Sequence, residues 1–475
     1  MHIHFIGICG TAMGNVALMI RAMGHTVTGS DENIYPPMST LLLDAGVSMM
    51  NGFGPQNLDP APDLVVIGNR MSRGNSEVEA TLNQRLRYIS LPELLKQEVI
   101  QGRTSVVLTG THGKTTTSSL MAWVLESAGR SPNFMIGGVP GNFDAGWQHR
   151  PESPYMVLEG DEYDTAFFDK RSKFVHYLPT ALVINNIEFD HADIFASLDD
   201  ILLSFRRLVN TVPENGVIAV NGDDPNATSV AENAFTPVET FGLGEGCRWR
   251  AANTSYDADG TNFTLLRDGI PLAELRTTLI GEFNLRNAMG VAVVAHWLGL
   301  GWDQINQGLS TFINTRRRLE RKGEYAGVTI YDDFAHHPTA IRETLRALRL
   351  RHPTERLWAM FEPRSNTTRR SVFQHELAQC FSEADLVVLA QVDRLHDLPP
   401  DQRLNPEQVM QELQQQGAIA YYLPTVEEIV QCVAANARAG DVLITLSNGG
   451  FGGIHAKLAA ALEDRPLPIE QESHS

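Results

Sequence analysis

A short apolar run at residues 105–108 leads straight into Thr109-Gly110-Thr111-His112-Gly113-Lys114-Thr115-Thr116-Thr117, and a helix-forming stretch at 118–125 follows. No other feature of this 475-residue chain restricts its fold as strongly. A strand that turns through glycines and Lys-Thr into a helix-forming stretch aims backbone N–H groups and a helix N-terminus at an anion, an arrangement that belongs at the carboxyl edge of a parallel sheet. Gly110, Thr111, His112, Gly113, Lys114, Thr115 and Thr116 are therefore candidate nucleotide-binding residues. Lys114 is placed to reach the outer phosphates, and the Thr115 hydroxyl to hold Mg²⁺. The loop is two residues shorter than the common GxxxxGK[ST] form. A plain glycine turn with an exposed lysine would not need strand, loop, Lys-Thr and helix to agree.

An anion site sits oddly in this chain. Lys+Arg number 38 against 56 Asp+Glu, a formal net charge of −18. Such a balance repels anions at long range, so phosphates must be held by local devices, and the expectation is a locally positive cleft in an acidic exterior. Cations assigned to that cleft are Lys114, Lys170, Arg171, Arg316, Arg317, Arg318 and Arg364. The same balance argues against nucleic acid as a partner, because bulk phosphate binding leaves a basic footprint. With 43% hydrophobic and 20% charged residues the chain is neither disordered nor a small disulfide scaffold. Its cysteines, Cys9, Cys247, Cys380 and Cys432, are scattered and suit a reducing compartment, the cytoplasm. No apolar run is long enough for a membrane span. The opening Met1-His2-Ile3-His4-Phe5-Ile6 lacks a basic flank and runs into glycines, so it reads as a first strand, not a secretion signal.

Length at about 150 residues per domain predicts roughly three domains, and alternating apolar runs and helical patterns predict α/β layers in each. Residues 1–100 read as a Rossmann-like domain with strands at 2–6, 26–28 and 64–67. Residues 101–313 read as a central phosphate-loop α/β domain with strands at 155–158 and 181–184, and with antiparallel strands added between 249 and 279. Residues 314–475 read as a second Rossmann-like domain with strands at 328–331, 357–361, 386–389 and 442–446. The last dozen residues read as a frayed tail. No internal repeat is visible.

Chemistry-bearing residues cluster where these strands end. Glu159 closes one apolar run and His191 lies just past another, so both can converge with Thr115 on a Mg²⁺ or Mn²⁺ site. A hydrogen-bonded structural histidine beside Asp190 is the alternative for His191. Asp161, Glu162 and Asp164 read either as a solvated acidic turn or as a group that positions a substrate amine. Gly7, Gly10 and Gly14 offer either a diphosphate turn or tight helix–strand packing, with Asp31 at the end of the next strand. Asp332-Asp333-Phe334-Ala335-His336-His337-Pro338 follows the strand at 328–331. One of Arg316, Arg317 and Arg318, at the junction of the second and third domains, is placed to stabilise a moving phosphoryl group. Arg364, in Glu362-Pro363-Arg364-Ser365-Asn366-Thr367, offers a planar fork for a substrate carboxylate. The last strand runs into a glycine-rich loop at 447–453.

In this order these motifs resemble the Mur ligase family, ATP-dependent amide-forming enzymes of peptidoglycan metabolism. The resemblance rests on TGTHGKTTT at 109–117, EGDEYD at 159–164, NNIEFDH at 185–191, Asn284 with Asn287, the arginines at 316–318 and DDFAHHP at 332–338. It implies ATP as a substrate and Mg²⁺ as a cofactor, with Lys114 and Thr115 on phosphates and metal, and Glu159 and His191 as metal ligands. It further implies Asn284 and Asn287 on adenine, Asp333 on the ribose and His336 near the nucleotide. Lys114, Glu159, His191, Arg318 and His336 are then the catalytic set. Gly10, Thr11, Met13, Gly14, Ser30 and Asp31 would line the site of a UDP-sugar.

GICGTAMG at 7–14, SDENIYPPMSTLL at 30–42, GGVPGNF at 137–143, YDTAFFDKRSKFVHY at 163–177, EPRSNT at 362–367 and SNGGFGGIH at 447–455 resemble the recycling branch of the family. That branch joins the tripeptide L-Ala-γ-D-Glu-meso-diaminopimelate to UDP-N-acetylmuramate. A ligase adding L-alanine to the same nucleotide sugar is the first alternative, and an ATP-driven switch protein is the second. The expected assembly is a monomer or weak dimer. Two positions depart from the family pattern. Phe283 stands where a histidine often precedes the first Asn, and Ser204-Phe205-Arg206-Arg207 replaces the segment that carries a carbamoylated lysine in several relatives, so no carbamate is expected.

Overall fold

A computed structural model of the chain describes residues 1–192 and 194–464. The expectation for the C-terminal tail falls outside the described residues, Asp464 apart.

Strands whose residues are almost all Val, Ile and Leu are buried on both faces and line up in parallel, as covered parallel sheets require. The first sheet is five-stranded and wholly parallel, in the order Ser48–Asn51, Thr26–Asp31, His2–Ile6, Leu64–Ile67, Tyr88–Ser90. The central sheet has ten strands. Its parallel heart runs Val238–Gly242, Val217–Asn221, Ala181–Ile184, Thr104–Thr109, Tyr155–Gly160, Asn133–Met135. Beyond it, Trp249–Asp257, Gly260–Arg267 and Ile270–Thr277 form the antiparallel extension that alternation and Asp-Gly turns foretold. The third sheet has six strands. Glu320–Tyr325 lies antiparallel on Val328–Asp333, and Val442–Leu446, Leu357–Phe361, Leu386–Leu389 and Ile419–Tyr422 continue in parallel. Three α/β layers, each on its own sheet, are the expected fold class.

Two local differences from the sequence reading bear on the site. The helix expected from about residue 118 begins at Lys114 and runs to Ser127. Its Thr115-Thr116-Thr117 opening is poor in helix propensity, but these residues are buried, and packing outweighs propensity. The acidic segment after Glu159 is not a solvated turn. It feeds a two-stranded antiparallel ladder, Asp164–Ala166 on Asp169–Ser172, which carries Glu162 inward.

Gly113 opens the phosphate-loop helix at φ +83°, and a Cβ there would lie 2.8 Å from Asn287 Oδ1. Gly102 has a nearly identical φ of +82° but open space around it. We expect Gly102→Ala to cost only the left-handed backbone penalty, about 1 kcal/mol, and Gly113→Ala roughly 1–3 kcal/mol more, read as midpoints in urea denaturation.

Candidate active site

The carboxyl ends of the central strands, the helix Glu282–Trp297 and the start of the third domain enclose a cavity of about 960 Å³. Its lining includes Lys114, Thr115, Glu159, His191, Asn284, Asn287, Arg316, Arg317, Arg318, Asp333 and His336. The cavity gathers motifs spread over more than 200 residues of sequence into one place.

The phosphate loop is braced from the neighbouring strand end. Thr111 N–H donates to the Asn186 carbonyl (2.9 Å) and His112 N–H to Asn186 Oδ1 (2.8 Å). Asn186 Nδ2 returns a bond to the His112 carbonyl (3.0 Å). The cradle for an anion is therefore narrower than the sequence suggested. Thr111 and His112 have given their N–H groups to Asn186, and the amides opening the helix from Gly113 onward are the ones left to bind. Asn185 Nδ2 donates to Asn287 Oδ1 (3.0 Å), and Asn287 Nδ2 to Asn284 Oδ1 (3.2 Å). Asn284 in turn donates to the Ile280 carbonyl (3.0 Å). As they stand, Asn284 and Asn287 support the loop with both ends of their amides.

Beneath the loop lies a buried charge cluster. Lys114 Nζ contacts Glu162 at 2.9 Å, and Glu162 Oε1 meets His191 Nε2 at 3.1 Å. Glu162 is 2% exposed. Burial would push its carboxyl up, yet the Lys114 charge and the His191 hydrogen bond outweigh that and hold it at about 2. Burial likewise favours neutral Lys114, but the charges of Glu162 and Asp161 raise it. His191, at φ +57°, is lowered by burial but raised on balance by Glu162 and Asp190. The Tyr163 ring stacks edge-on against His191, with centroids 4.4 Å apart. In the sequence Glu162 is marked only by adjacency to Glu159 in the EGDEYD run, which spacing alone does not resolve into inward and outward carboxylates.

Thr115 Oγ1 donates to Glu159 Oε1 at 2.7 Å, and Gly137 N–H donates to Glu159 Oε2 at 2.7 Å. Burial, followed by the Asp161 charge, raises the Glu159 carboxyl. A half-buried carboxylate beside a like charge and a threonine hydroxyl is a donor set that a hard cation relieves. Thr115 and Glu159 thus meet as expected. His191 joins them through Glu162 and Lys114 rather than by direct contact.

Across the boundary, Arg318 Nη2 reaches Thr115 Oγ1 at 3.4 Å and stacks on Phe334. Arg317 is turned away onto Asp332 (3.2 Å) and the Ser447 carbonyl (2.6 Å). Arg316 is exposed on the cavity rim. Asp333 accepts from Leu319 N–H (2.6 Å) and Ala335 N–H (2.7 Å), and burial raises its carboxyl. His336 Nδ1 faces the Phe334 carbonyl at 3.0 Å, and burial lowers its imidazole.

Other expectations need correction. The cavity is not a positive cleft: its lining carries nine carboxylates against six Lys and Arg side chains. Internal ion pairs such as Asp223–Arg286 and Glu343–Arg346 take up part of that acid. Lys170 and Arg171 lie outside that lining, paired with Asp164 and Asp169 on the small ladder. Arg364 also lies outside it, near Glu362 and Asp393 at 3.9 and 3.8 Å, beside a second cavity of about 590 Å³.

In the first domain, Gly10, Thr11, Met13 and Gly14 sit at the start of the helix Thr11–Ala22, after the His2–Ile6 strand. Asp31 Oδ2 accepts the Cys9 N–H at 2.9 Å, which shapes that turn. Ser30 does not face a ligand: its hydroxyl is fully buried and donates to Glu77 Oε1 at 2.8 Å. Glu77 also holds His4 (2.6 Å) and Asn57 (2.7 Å), so the Ser30 side chain is drawn inward. At Gly14 a Cβ would lie 2.2 Å from Met38 Sδ, which makes helix packing its reason for being glycine.

A phosphate-loop cavity enclosed between the central α/β layer and the third defines a nucleotide-binding, phosphate-loop architecture, and the comparisons name the family. The chain belongs to the Mur ligase family: residues 2–102 match the Mur ligase family catalytic domain, 108–295 the Mur ligase middle domain and 317–449 the Mur ligase glutamate ligase domain. Over 464 residues it is 44% identical to the UDP-N-acetylmuramate–L-alanyl-γ-D-glutamyl-meso-2,6-diaminoheptandioate ligase of Escherichia coli K12, covering 97% of this chain and 98% of that one. It is similar to the structure of a murein peptide ligase from Psychrobacter arcticus 273-4, with TM-score 0.71 and 37% identity over 98% and 99% of the two chains. A UDP-N-acetylmuramate–L-alanine ligase of Desulfitobacterium hafniense Y51 is 31% identical, covering 94% and 97%. Among the described residues no helix is long and apolar enough to cross a membrane.

Proposed function

We propose that the chain joins L-Ala-γ-D-Glu-meso-diaminopimelate to the lactyl carboxylate of UDP-N-acetylmuramate at the expense of ATP, in the cytoplasm, as a step of peptidoglycan recycling. Identity at 44% to a ligase of that name over nearly the full length of both chains carries the reading. The L-alanine ligase is more distant at 31%.

Residues 1–100 hold the UDP-sugar at the Gly10–Thr11 turn, with Met13 and Asp31 below it. Residues 101–313 hold ATP, with its phosphates on the amides from Gly113 to Thr116 and on Lys114. Its adenine lies against the segment bearing Asn284 and Asn287, and its ribose near Asp333. Residues 314–475 complete the site and bind the peptide. The Thr115 hydroxyl and the Glu159 carboxylate fit Mg²⁺, with His191 linked to them through Glu162 and Lys114, and the ion would supply charge neutralisation on the transferring phosphoryl group.

The lactyl carboxylate attacks the γ-phosphorus, the bond to the bridging oxygen breaks and ADP departs, leaving an acyl phosphate. The peptide amine then attacks the acyl carbon, loses a proton, and inorganic phosphate leaves as the amide forms. Lys114 and Arg318 offset charge on the phosphoryl oxygens. Lys114 must exchange Glu162 for phosphate, so the buried pair keeps the lysine ordered and charged before nucleotide arrives. Enclosure between domains excludes the water that would otherwise hydrolyse the acyl phosphate. Mass spectrometry of a reaction with all three substrates tests the assignment: a new amide forms in step with ADP. ADP release without an amide would support the switch protein instead.

Arg364 lies at the carboxyl end of the strand Leu357–Phe361, where a peptide carboxylate would meet it. Arg364→Ala should raise KM for the tripeptide about 10-fold while KM for ATP and for UDP-N-acetylmuramate stays unchanged, the loss of one charged hydrogen-bonded contact.

A further inference from the structure

A second group of ligand atoms stands apart from Thr115 and Glu159. His112 Nε2 lies 3.2 Å from Glu188 Oε2, and His337 Nδ1 lies 3.5 Å from the same oxygen. One ligand atom from each of the three residues falls within 4.8 Å of the other two. We propose that His112, Glu188 and His337 form a binding site for a transition-metal cation of the Zn²⁺ class, one that ties the phosphate loop to the third domain.

The two edges that meet at Glu188 have the spacing of a coordination shell. Bonds of about 2.0–2.1 Å in a tetrahedron set neighbouring ligand atoms roughly 3.3–3.4 Å apart, between the two distances found here. Two imidazoles and one carboxylate suit Zn²⁺, Co²⁺ or Ni²⁺, whereas Mg²⁺ prefers an all-oxygen shell.

His337 is 4% exposed. Its Nδ1 accepts the Thr339 N–H at 3.3 Å, a long cap bond that a cation would replace. All three residues line the large cavity, which provides entry and room for a fourth ligand.

Placement gives the site its consequence. His112 belongs to the phosphate loop and Glu188 follows the strand Ala181–Ile184, both in the central layer. His337 caps the helix Pro338–Arg351 of the third layer. A bound cation therefore bridges two domains at the edge of the nucleotide cavity, and favours the arrangement in which they are closed.

The test uses the full-length, nucleotide-free protein after chelator treatment, probed with Zn²⁺ by calorimetry and with Co²⁺ by visible absorption. One Zn²⁺ per chain should bind and persist in Thr115→Ala and Glu159→Gln, and Co²⁺ should show the strong bands of four-coordination. Glu188→Gln and His112→Asn should each weaken Zn²⁺ at least about 10-fold with circular dichroism unchanged, and His337→Ala should do the same. Equal Zn²⁺ affinity in Glu188→Gln and His112→Asn, loss of the ion in Glu159→Gln alone, or only the weak bands of six-coordinate Co²⁺ would overturn the proposal.

Discussion

Lys114→Ala is expected to lower ATP-dependent amide formation by about 10³-fold or more, measured as product formed under saturating substrates. A preorganised cation on the transferring phosphoryl group is worth on the order of 10²–10³ in rate, and loss of a buried lysine adds the disorder of its surroundings. The second contribution is specific to this chain. Lys114 holds Glu162 at 2.9 Å, and Glu162 holds His191 at 3.1 Å, so removing the ammonium leaves a buried carboxylate with one partner. Lys114→Arg keeps the charge but brings a planar fork where Gly110 and Thr111 carbonyls accept from a compact ammonium at 2.9 and 3.3 Å, so rescue should be slight. Full activity in Lys114→Ala would refute the assignment of the loop.

Glu162→Gln carries the second large effect. It retains shape but leaves Lys114 and His191 facing each other without the intervening charge. Removing one partner of a buried pair costs roughly 3–5 kcal/mol, and we expect a loss of about 3 kcal/mol in denaturant unfolding, with activity falling about 10²-fold. The pH dependence follows from the same groups. The Glu162 carboxyl is lowered from 4.5 to about 2, so its contribution is present above its unfolded value and is lost as pH falls through about 2. His191 is raised above 6.5, so its contribution is full below that value and fades as pH rises through its folded value. The wild-type cluster is therefore strongest between those limits, near pH 5–6, and Glu162→Gln should flatten the stability profile there. A variant that keeps the wild-type profile would show that the pair contributes nothing.

Legibility differed between elements for physical reasons. The parallel strands could be read because burial on both faces demands continuous Val, Ile and Leu, as in Val106-Val107-Leu108 and Leu182-Val183-Ile184. The loop and its cluster of strand-end residues could be read because glycine, lysine and threonine at fixed spacing have few other reasons to coexist. Helix onset at Lys114 could not, since three consecutive threonines argue against it and only packing reverses that. Nor could the direction of side chains within a polar run. Glu159 and Glu162 look alike in EGDEYD, yet one bonds Thr115 and the other bridges Lys114 and His191. Ser30 looks like a strand-end donor, but Glu77, 47 residues away, draws it inward. Asn186, the brace of the phosphate loop, is 74 residues from His112, and nothing in its local sequence signals that contact.

Specificity for the acceptor is the most exposed part of the functional reading. The direct measurement is ADP release by the intact protein with ATP, Mg²⁺ and UDP-N-acetylmuramate, run in parallel with the tripeptide L-Ala-γ-D-Glu-meso-diaminopimelate, with free L-alanine and with no acceptor. The account predicts rapid ADP release with the tripeptide, matched mole for mole by new amide, and only background with the other two. Turnover with L-alanine that equals or exceeds turnover with the tripeptide would contradict it.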